Sequence, residues 1–210
     1  MPTPLRKKSN EARRRRSRTA LLDAAQRVLV HKGYHSTLIS DIVAEAGVGQ
    51  GTFYRHFSSK REIFETLLER LIAALLSEFS DMSTHLPKDV EGYRQASISA
   101  LGRMAVILER NREITLLFLR EAPAIDRDFE AKISTFYQQF ASLAQFYLDY
   151  AIAQGFARPC RSEIVAQCLV GIGIHLIEVW LRDENTDARR QELINEVVTF
   201  AFKGFGLYEA

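Results

Sequence analysis

Hydrogen-bonding and cationic side chains are concentrated in one short stretch near the N-terminus. Gln50, Thr52, Tyr54, Arg55 and His56 fall within seven residues. Glutamine can pair bidentately with adenine, and phenol, imidazole and guanidinium groups donate hydrogen bonds to phosphate oxygens. This combination is typical of a surface that recognises a nucleic acid.

Two short helices joined by a tight turn are needed to present this stretch outward. Apolar spacing over residues 39–46 predicts a short helix that ends at Gly47. Phe53 and Phe57, four residues apart, predict the inner face of a third helix over about residues 50–56. Glycines in the turn between the two helices permit a sharp change of direction. The arrangement is that of a helix-turn-helix.

Charge divides the chain into a basic head and an acidic body. Residues 1–60 carry twelve Lys/Arg and four Asp/Glu, a net charge of +8, whereas residues 61–210 carry sixteen and twenty-two, a net charge of −6. The run that includes Arg14, Arg15 and Arg16 concentrates the positive charge. We expect a flexible arm that lies along DNA phosphates or enters the minor groove. A solubilising tail and a clamp on anionic lipid are the alternatives.

Helical periodicity continues along nearly the whole chain, and no convincing alternating strand is found. Gly33 ends the first helix, and Ser59 with Glu62 predicts a capping box at the start of a long one. The inner face of that long helix contains Phe64, Leu67, Leu71 and Leu75. Later helices are expected over about 90–111, up to Leu119, from about 125 to Gly155, over 162–182 and over 188–205. The expected fold class is all-α, with about nine helices.

The N-terminal stretch as a whole resembles the TetR family of transcriptional regulators over about fifty residues. The resemblance is carried by Thr19–Ala25, His31–Tyr34, Thr37, Asp41–Ile42, Ala46–Val48, Gly51–Phe57 and Ser59–Lys60. It implies an arm over residues 1–18, a three-helix DNA-binding domain over 19–66, and an effector-binding and dimerisation domain over 67–210. It also implies a cytoplasmic homodimer on double-stranded operator DNA, with no enzymatic activity.

The resemblance also implies roles for single residues. Gln50 and Thr52 fall where family members contact base edges or the nearby backbone, and Tyr54, His56 and Lys60 fall where they bind phosphates. The alternatives are packing of Tyr54 on the first helix, a satisfied, partly buried His56, and a solvated Lys60 at a helix start.

Two positions depart from the family pattern at the starts of the short helices. Gly49 replaces the usual Ser or Thr before Gln50, and Leu38 stands where a second Thr is common. The polar start of the second helix therefore rests on Thr37 and Ser40, which we include among the expected DNA contacts.

The segment from Ala166 to Leu181 is apolar nearly all round, so it must be buried on every side. This run of 16 residues contains Gln167, His175 and Glu178, and we judge it too short and too polar to span a bilayer. A dimer interface is the expected explanation, and a wholly internal helix is the alternative. The expected interface residues are Gly171, Trp180, Ile194, Val197 and Ala201.

Aromatic residues are frequent in the body of the chain. In TetR-like proteins this region encloses a pocket whose ligand alters the separation of the DNA-reading heads, although aromatic stripes at helical spacing usually form plain core. The expected pocket residues are Met104, Phe118, Phe136, Phe140 and His175. They imply a small, largely apolar or aromatic effector that releases a repressor from a palindromic operator.

Other functional classes have weaker support. Cys168, His175 and Glu178 could share one helix face and suggest a metal-responsive regulator, but no fourth ligand is evident. We expect no metal and no cofactor, and no P-loop, GxSxG or HExxH motif favours a helical enzyme. The two cysteines, Cys160 and Cys168, have no CxxC spacing, which suits a reduced cytoplasm.

Overall fold

The all-α class is confirmed by a computed structural model, which describes residues 4–79, 86–183 and 186–205. Within these ranges the chain forms nine α-helices and one short 3-10 helix, and no strand. The helices are α1 Pro4–Lys32, α2 Ile39–Glu45, α3 Gln50–Tyr54, α4 Lys60–Ser77, α5 Val90–Arg110, α6 Arg112–Glu121, α7 Arg127–Ala153, α8 Ser162–Arg182 and α9 Thr186–Phe205, and the 3-10 helix Ala122–Ala124 follows α6.

The chain consists of two compact units, Met1–Leu71 and Ile72–Ala210. The division falls after residue 71, five residues beyond the boundary expected from the sequence. Apolar side chains from all four helices form the core of the first unit, because each of these helices has one apolar face. Those that are completely buried include Leu21, Leu29, Ile42, Phe53, Ile63 and Phe64.

The first helix differs from expectation at its N-terminal end. Residues 4–18, which the sequence analysis assigns to a flexible arm, are helical and continuous with the rest of α1. A helix spaces its side chains at about 100° per residue, so the arginine run is distributed around the axis.

Glycine in the left-handed region ends both α1 and α2. Gly33 has φ 78° and Gly47 has φ 63°, a conformation that costs other residues free energy. After Gly47 the amide of Val48 donates to the carbonyl of Val43 at 3.0 Å, and Gly49 caps α3 in an extended conformation. The turn expected from the glycines is therefore present.

The capping box expected at the start of α4 is only half present. The amide of Glu62 donates to the Ser59 hydroxyl at 3.1 Å, as expected. The Glu62 carboxylate, however, accepts from the amide and the hydroxyl of Ser58, at 2.6 and 2.7 Å. These two hydrogen bonds lower the pKa of Glu62 below its ordinary value. The carboxylate thus fixes the approach to α4 one residue earlier than the motif predicts.

In the second unit α7 packs along α8, and α9 packs along α5. Buried tyrosines connect its elements through backbone carbonyls. The Tyr93 hydroxyl donates to the Tyr147 carbonyl at 3.1 Å, and the Tyr147 hydroxyl donates to the Phe79 carbonyl at 2.7 Å. Burial raises the pKa of Tyr93 to about 12, so the hydroxyl keeps its proton and its role as a donor.

Helix α8 has 21 residues, and by length and composition it could cross a membrane. It is the one helix with these properties among the residues that the structure describes. The sequence argument that this segment is too short to span a bilayer is therefore wrong. Only 17% of the apolar window is buried inside the chain, so most of this helix lacks the cover that its composition requires.

We predict that Gly47→Ala destabilises the first unit by about 1–2 kcal/mol, the cost of a left-handed conformation for a residue with a β-carbon. A β-carbon at Gly47 would meet no atom within 4 Å, so backbone strain is the only penalty. Gly51→Ala is the matched control, because Gly51 is helical and equally uncrowded. Urea denaturation measures both, and equal stability of the two variants would contradict the prediction.

Candidate nucleic-acid interface

Helix α3 is held from one side and exposed on the other. Phe53 and Phe57 are buried, with exposures of 0% and 1%. Gln50, Tyr54 and Arg55 are exposed, and Tyr54 retains 57% of its surface although its ring contacts Phe53 edge-on. More than half of the Tyr54 surface thus remains available for contact with a ligand.

Thr52 and Arg55 share a hydrogen bond on the surface of α3. The Arg55 guanidinium donates to the Thr52 hydroxyl at 3.3 Å, and Thr52 is half-buried. The threonine hydroxyl keeps a proton to donate. This pair orients the guanidinium along the helix and leaves Gln50 as the exposed amide at the helix start.

His56, at the C-terminal end of this region, is tied to α1. Its Nε2 lies 2.7 Å from the Ser17 hydroxyl, and the ring is half-buried. Desolvation, followed by the charges of Arg55, Arg14 and Arg18, lowers the pKa of His56 below its ordinary value. The imidazole is therefore neutral at pH 7. Sequence reasoning missed Ser17, because nothing in its local pattern indicates a partner 39 residues away.

The arginine side chains of the basic run point in different directions around helix α1. The Arg18 guanidinium lies 5.0 Å from the centre of the Phe57 ring, and Arg14 stands one turn earlier and acts electrostatically on His56. Arg16 is exposed but lies about 160° around the helix from Arg18. Arg15 is also exposed, about 60° from Arg18. Arg14 and Arg18 thus extend the polar surface of α3, whereas Arg16 is turned away from it.

The ammonium group of Lys60 is hydrogen-bonded to backbone carbonyls of the chain itself. Its ammonium group donates to the carbonyls of Tyr34, Thr37 and His35, at 2.5, 2.8 and 3.3 Å, and lies 4.4 Å from the centre of the Tyr34 ring. Partial burial lowers the pKa of Lys60 below its ordinary value. An ammonium has three protons, so these three carbonyls use its full donor capacity.

The two residues expected at the polar start of α2 have different environments. Thr37 is completely buried and its hydroxyl donates to the Gly33 carbonyl at 2.7 Å, so its assignment as a DNA contact is wrong. Ser40 is exposed. Asp41 caps this end, accepting from the Leu38 amide at 3.0 Å and pairing with Lys32 at 2.9 Å. The hydrogen bonds from Lys32 and then from Leu38 lower the pKa of Asp41.

An apolar cavity of about 100 Å³ lies in the second unit between α5, α8 and α9. Its lining includes Met104 on α5, Gly173 on α8 and Val197 on α9, with Arg190 as the charged member. Of the five expected pocket residues, Met104 alone lines it. Phe118 is buried in the core, Phe136 and Phe140 are half-buried, and His175 is exposed.

Most of the residues expected in a dimer interface are covered within one chain. Trp180 and Ile194 are 7% exposed, Val197 and Ala201 are half-buried, and Gly171 alone is exposed. The exposed apolar side chains of α8 are instead Ile164, Ile172 and Val179.

The candidate metal ligands do not form one site within the chain. Cys168 and His175 are seven residues apart on α8, about 10.5 Å along its axis, and Glu178 pairs with Arg182. Among the described residues no three His, Cys, Asp or Glu side chains are grouped as a metal site requires.

Comparison with known proteins supports the helix-turn-helix. Residues 21–67 match the family model of bacterial regulatory proteins, TetR family. The chain is 29% identical over 178 residues to the uncharacterized HTH-type transcriptional regulator YvdT of Bacillus subtilis, covering 82% of this chain and 89% of that protein. It is 32% identical over 87 residues to the HTH-type transcriptional repressor KstR2 of Mycobacterium tuberculosis, covering 40% and 44%.

A solved structure has the same fold. The fatty acid degradation regulator FadR of Bacillus halodurans matches with a TM-score of 0.74 and 19% identity, covering 90% of this chain and 95% of that one.

Removal of the Lys60 ammonium tests whether this group holds the turn after α1 or binds DNA. We predict that Lys60→Met lowers the free energy of unfolding by about 2 kcal/mol, as for loss of hydrogen bonds to a charged group. The salt dependence of DNA binding should stay unchanged, because no phosphate contact is lost. Denaturation and titrations at several salt concentrations measure the two quantities.

Arg70→Met, which removes an exposed cation from the same helix, is the control and should alter stability by less than about 0.5 kcal/mol. Unchanged stability of Lys60→Met, together with a salt slope lower by about one, would assign Lys60 to a phosphate instead.

Proposed function

Because the chain belongs to the TetR family of bacterial transcriptional regulators, we propose that it represses transcription as a homodimer that occupies a pseudo-palindromic operator. The chain is a DNA-binding regulator rather than an enzyme. We propose further that a small apolar effector releases it. The observation that carries the proposal is α3, a five-residue helix buried through Phe53 and exposed through Gln50 and Tyr54.

The exposed side chains suggest two different kinds of contact with DNA, one to base edges and one to phosphates. Gln50 has the chemistry for a base edge, since its amide can donate to and accept from adenine. Tyr54 and Arg55 beside it, with Arg14 and Arg18 from α1, supply donors for phosphates, which fix the position of the protein without reading sequence. Base contacts then give specificity, and phosphate contacts give salt-dependent affinity.

The test compares single variants on selected operator DNA and on random duplexes. We predict that Gln50→Ala relaxes the preference at one base pair in each half-site by about 1–3 kcal/mol. Arg14→Ala should weaken binding to all duplexes and lower the salt slope by about one for each half-site. Arg16→Ala is the matched control, because its side chain points away from α3.

Titrations at several salt concentrations separate these outcomes. Unchanged base preference in the Gln50 variant would contradict base reading by α3. Equal losses of DNA affinity in the Arg14 and Arg16 variants would contradict the proposal that only the arginines directed toward α3 contact phosphates.

A homodimer is proposed because one recognition helix contacts too few base pairs to define an operator, and two copies read symmetric half-sites. Regulators of this family act as dimers. The exposed apolar side chains of α8 and Phe200 on α9, which is 64% exposed, offer a surface for a second copy. Their burial would remove apolar area from water, the main favourable contribution to association.

The effector site is proposed in the cavity between α5, α8 and α9. The cavity volume is about 100 Å³ and its lining is apolar apart from Arg190. An apolar cavity of about 150 Å³ accommodates benzene, so a ligand here is small or extends beyond the cavity. A ligand between α8 and α9 can alter the dimer only if it binds the DNA-free arrangement more tightly. Because FadR is a regulator of fatty acid degradation, short acyl chains are the first candidates.

We predict that Gly173→Leu fills the cavity and abolishes release by octanoate or octanoyl-CoA, with operator affinity retained within about threefold. A β-carbon at Gly173 would meet no atom within 4 Å, so a side chain has room to enter. Fluorescence anisotropy of labelled operator DNA measures release. Release of the variant at the same octanoate concentration as the parent protein would exclude this cavity as the effector site.

A further inference from the structure

The hydroxyl of Ser17 on α1 contacts the imidazole of His56, just after α3. Its Oγ lies 2.7 Å from Nε2 of the ring and 3.0 Å from the carbonyl oxygen of Arg14, one turn earlier on the same helix. The match to the TetR family model covers residues 21–67, so Ser17 lies outside it. The contact between Ser17 and His56 is therefore a feature of this chain that the family match does not imply.

The two contacts of Ser17 determine which ring nitrogen of His56 carries the proton. A serine hydroxyl has one proton, a carbonyl can only accept a hydrogen bond, and an imidazole nitrogen can do either. Both contacts are satisfied at once only when the hydroxyl donates to the Arg14 carbonyl and Nε2 donates to the hydroxyl. A neutral ring has one N–H, so Nδ1 then has only a lone pair. Among the described residues Nδ1 has no hydrogen-bond partner.

Cationic groups of two neighbouring segments act on this ring. Arg55 directly precedes it in the chain, and Arg14 and Arg18 act on it from α1. Burial, followed by these three charges, lowers the pKa of His56 below its ordinary value. On α4, Glu62 interacts electrostatically with Arg18, and its carboxylate already accepts two hydrogen bonds from the turn before that helix. The free protein thus holds a neutral imidazole beside three guanidinium groups, which attract a phosphate.

We propose, building on the operator binding of the proposed function, that Ser17 is a positioning residue for His56. It holds Nε2 as the donor to its own hydroxyl and leaves Nδ1 to meet a DNA phosphate. A lone pair on Nδ1 repels a phosphate oxygen, so this contact requires a second proton on the ring. The phosphate favours the charged ring, because an opposite charge within a few ångströms stabilises an imidazolium. Each subunit therefore takes up one proton from solvent when operator DNA binds.

The expected pH dependence has a defined direction. In the free protein His56 protonates only below its ordinary pKa of 6.5, whereas a phosphate in the complex raises that pKa. Between the two pKa values, operator affinity should rise as pH falls, by up to about tenfold per pH unit for each subunit. Below the pKa of the free protein the ring is already protonated, so the affinity no longer depends on its titration.

Fluorescence anisotropy of labelled operator DNA, measured at fixed ionic strength from about pH 5.5 to about pH 8.5, tests the proposal. The parent protein should show this slope of affinity against pH. His56→Asn should show none, because its neutral amide donates without titrating. Ser17→Ala should lower the slope by about half, since a ring released from the hydroxyl can carry its single proton on Nδ1. Ser17→Thr keeps the hydroxyl and should restore the parent slope.

Matched variants separate these effects from general changes in the chain. Ser77→Ala removes another helical hydroxyl that donates to a carbonyl three residues earlier, at 2.7 Å. His31→Asn removes an exposed histidine of α1. Both should keep the parent slope. Alanine is a better helix former than serine, so Ser17→Ala should fold. A slope that persists in His56→Asn would overturn the proposal.

Nitrogen-15 NMR of the histidine side chains gives a readout that does not depend on affinity. In the free parent protein His56 should have its proton on Nε2, and on operator DNA it should become imidazolium. A proton on Nδ1 in the free parent protein would overturn the role of Ser17. Operator preference with a flat pH profile would overturn proton uptake and leave the proposed function intact, whereas no operator preference at any pH would overturn both.

Discussion

Burial of Phe53 and Phe57 is the interaction on which the DNA-reading surface depends. A five-residue helix cannot persist alone in water, because nucleation costs more than so few hydrogen bonds return. Each buried phenylalanine contributes about 1.5–3 kcal/mol, but only if α1, α2 and α4 already form the apolar site that receives it. The rest of the first unit therefore supports one exposed helical turn. Because the exposed positions of that turn do not contribute to the core, their side chains can be suited to contact with DNA.

The positive charge that the first unit presents to a ligand depends on which basic side chains are not already engaged within the chain. The number of basic residues alone does not determine it. Lys60 is engaged with three carbonyls, Lys32 neutralises Asp41, and Arg27 pairs with Glu45 at 2.6 Å. The positive charge left beside α3 comes from Arg55 and from Arg14 and Arg18 on α1. Burial of the ring is the main cause of the lowered pKa of His56, and the charges of Arg55, Arg14 and Arg18 lower it further. Net charge alone indicates a polyanion partner. The directions in which the arginine side chains leave α1 determine which surface of the first unit attracts that partner.

Sequence predicted the features that depend on local pattern. Gly33 and Gly47 end their helices as expected, and α8 has the expected bounds, since apolar periodicity and glycine act over a few residues. The differences from expectation involve long-range contacts. Thr37 is buried by tertiary packing, and the Lys60 ammonium group donates to the carbonyl of Thr37, 23 positions away. A local sequence pattern contains no information on either of these contacts.

Helix α8 has two faces with different requirements. Gly173 and Trp180 face the cavity shared with α5 and α9, whereas Gly171 and Ile172 face outward. A change in the cavity moves the helix as a body, because the backbone hydrogen bonds of a helix resist local bending. If the exposed face of α8 meets a second copy, as the proposed homodimer requires, a displacement of this helix alters the fit for both subunits at once, because the same patch serves both. A single helix can then connect a small apolar ligand to dimer geometry without a separate pathway.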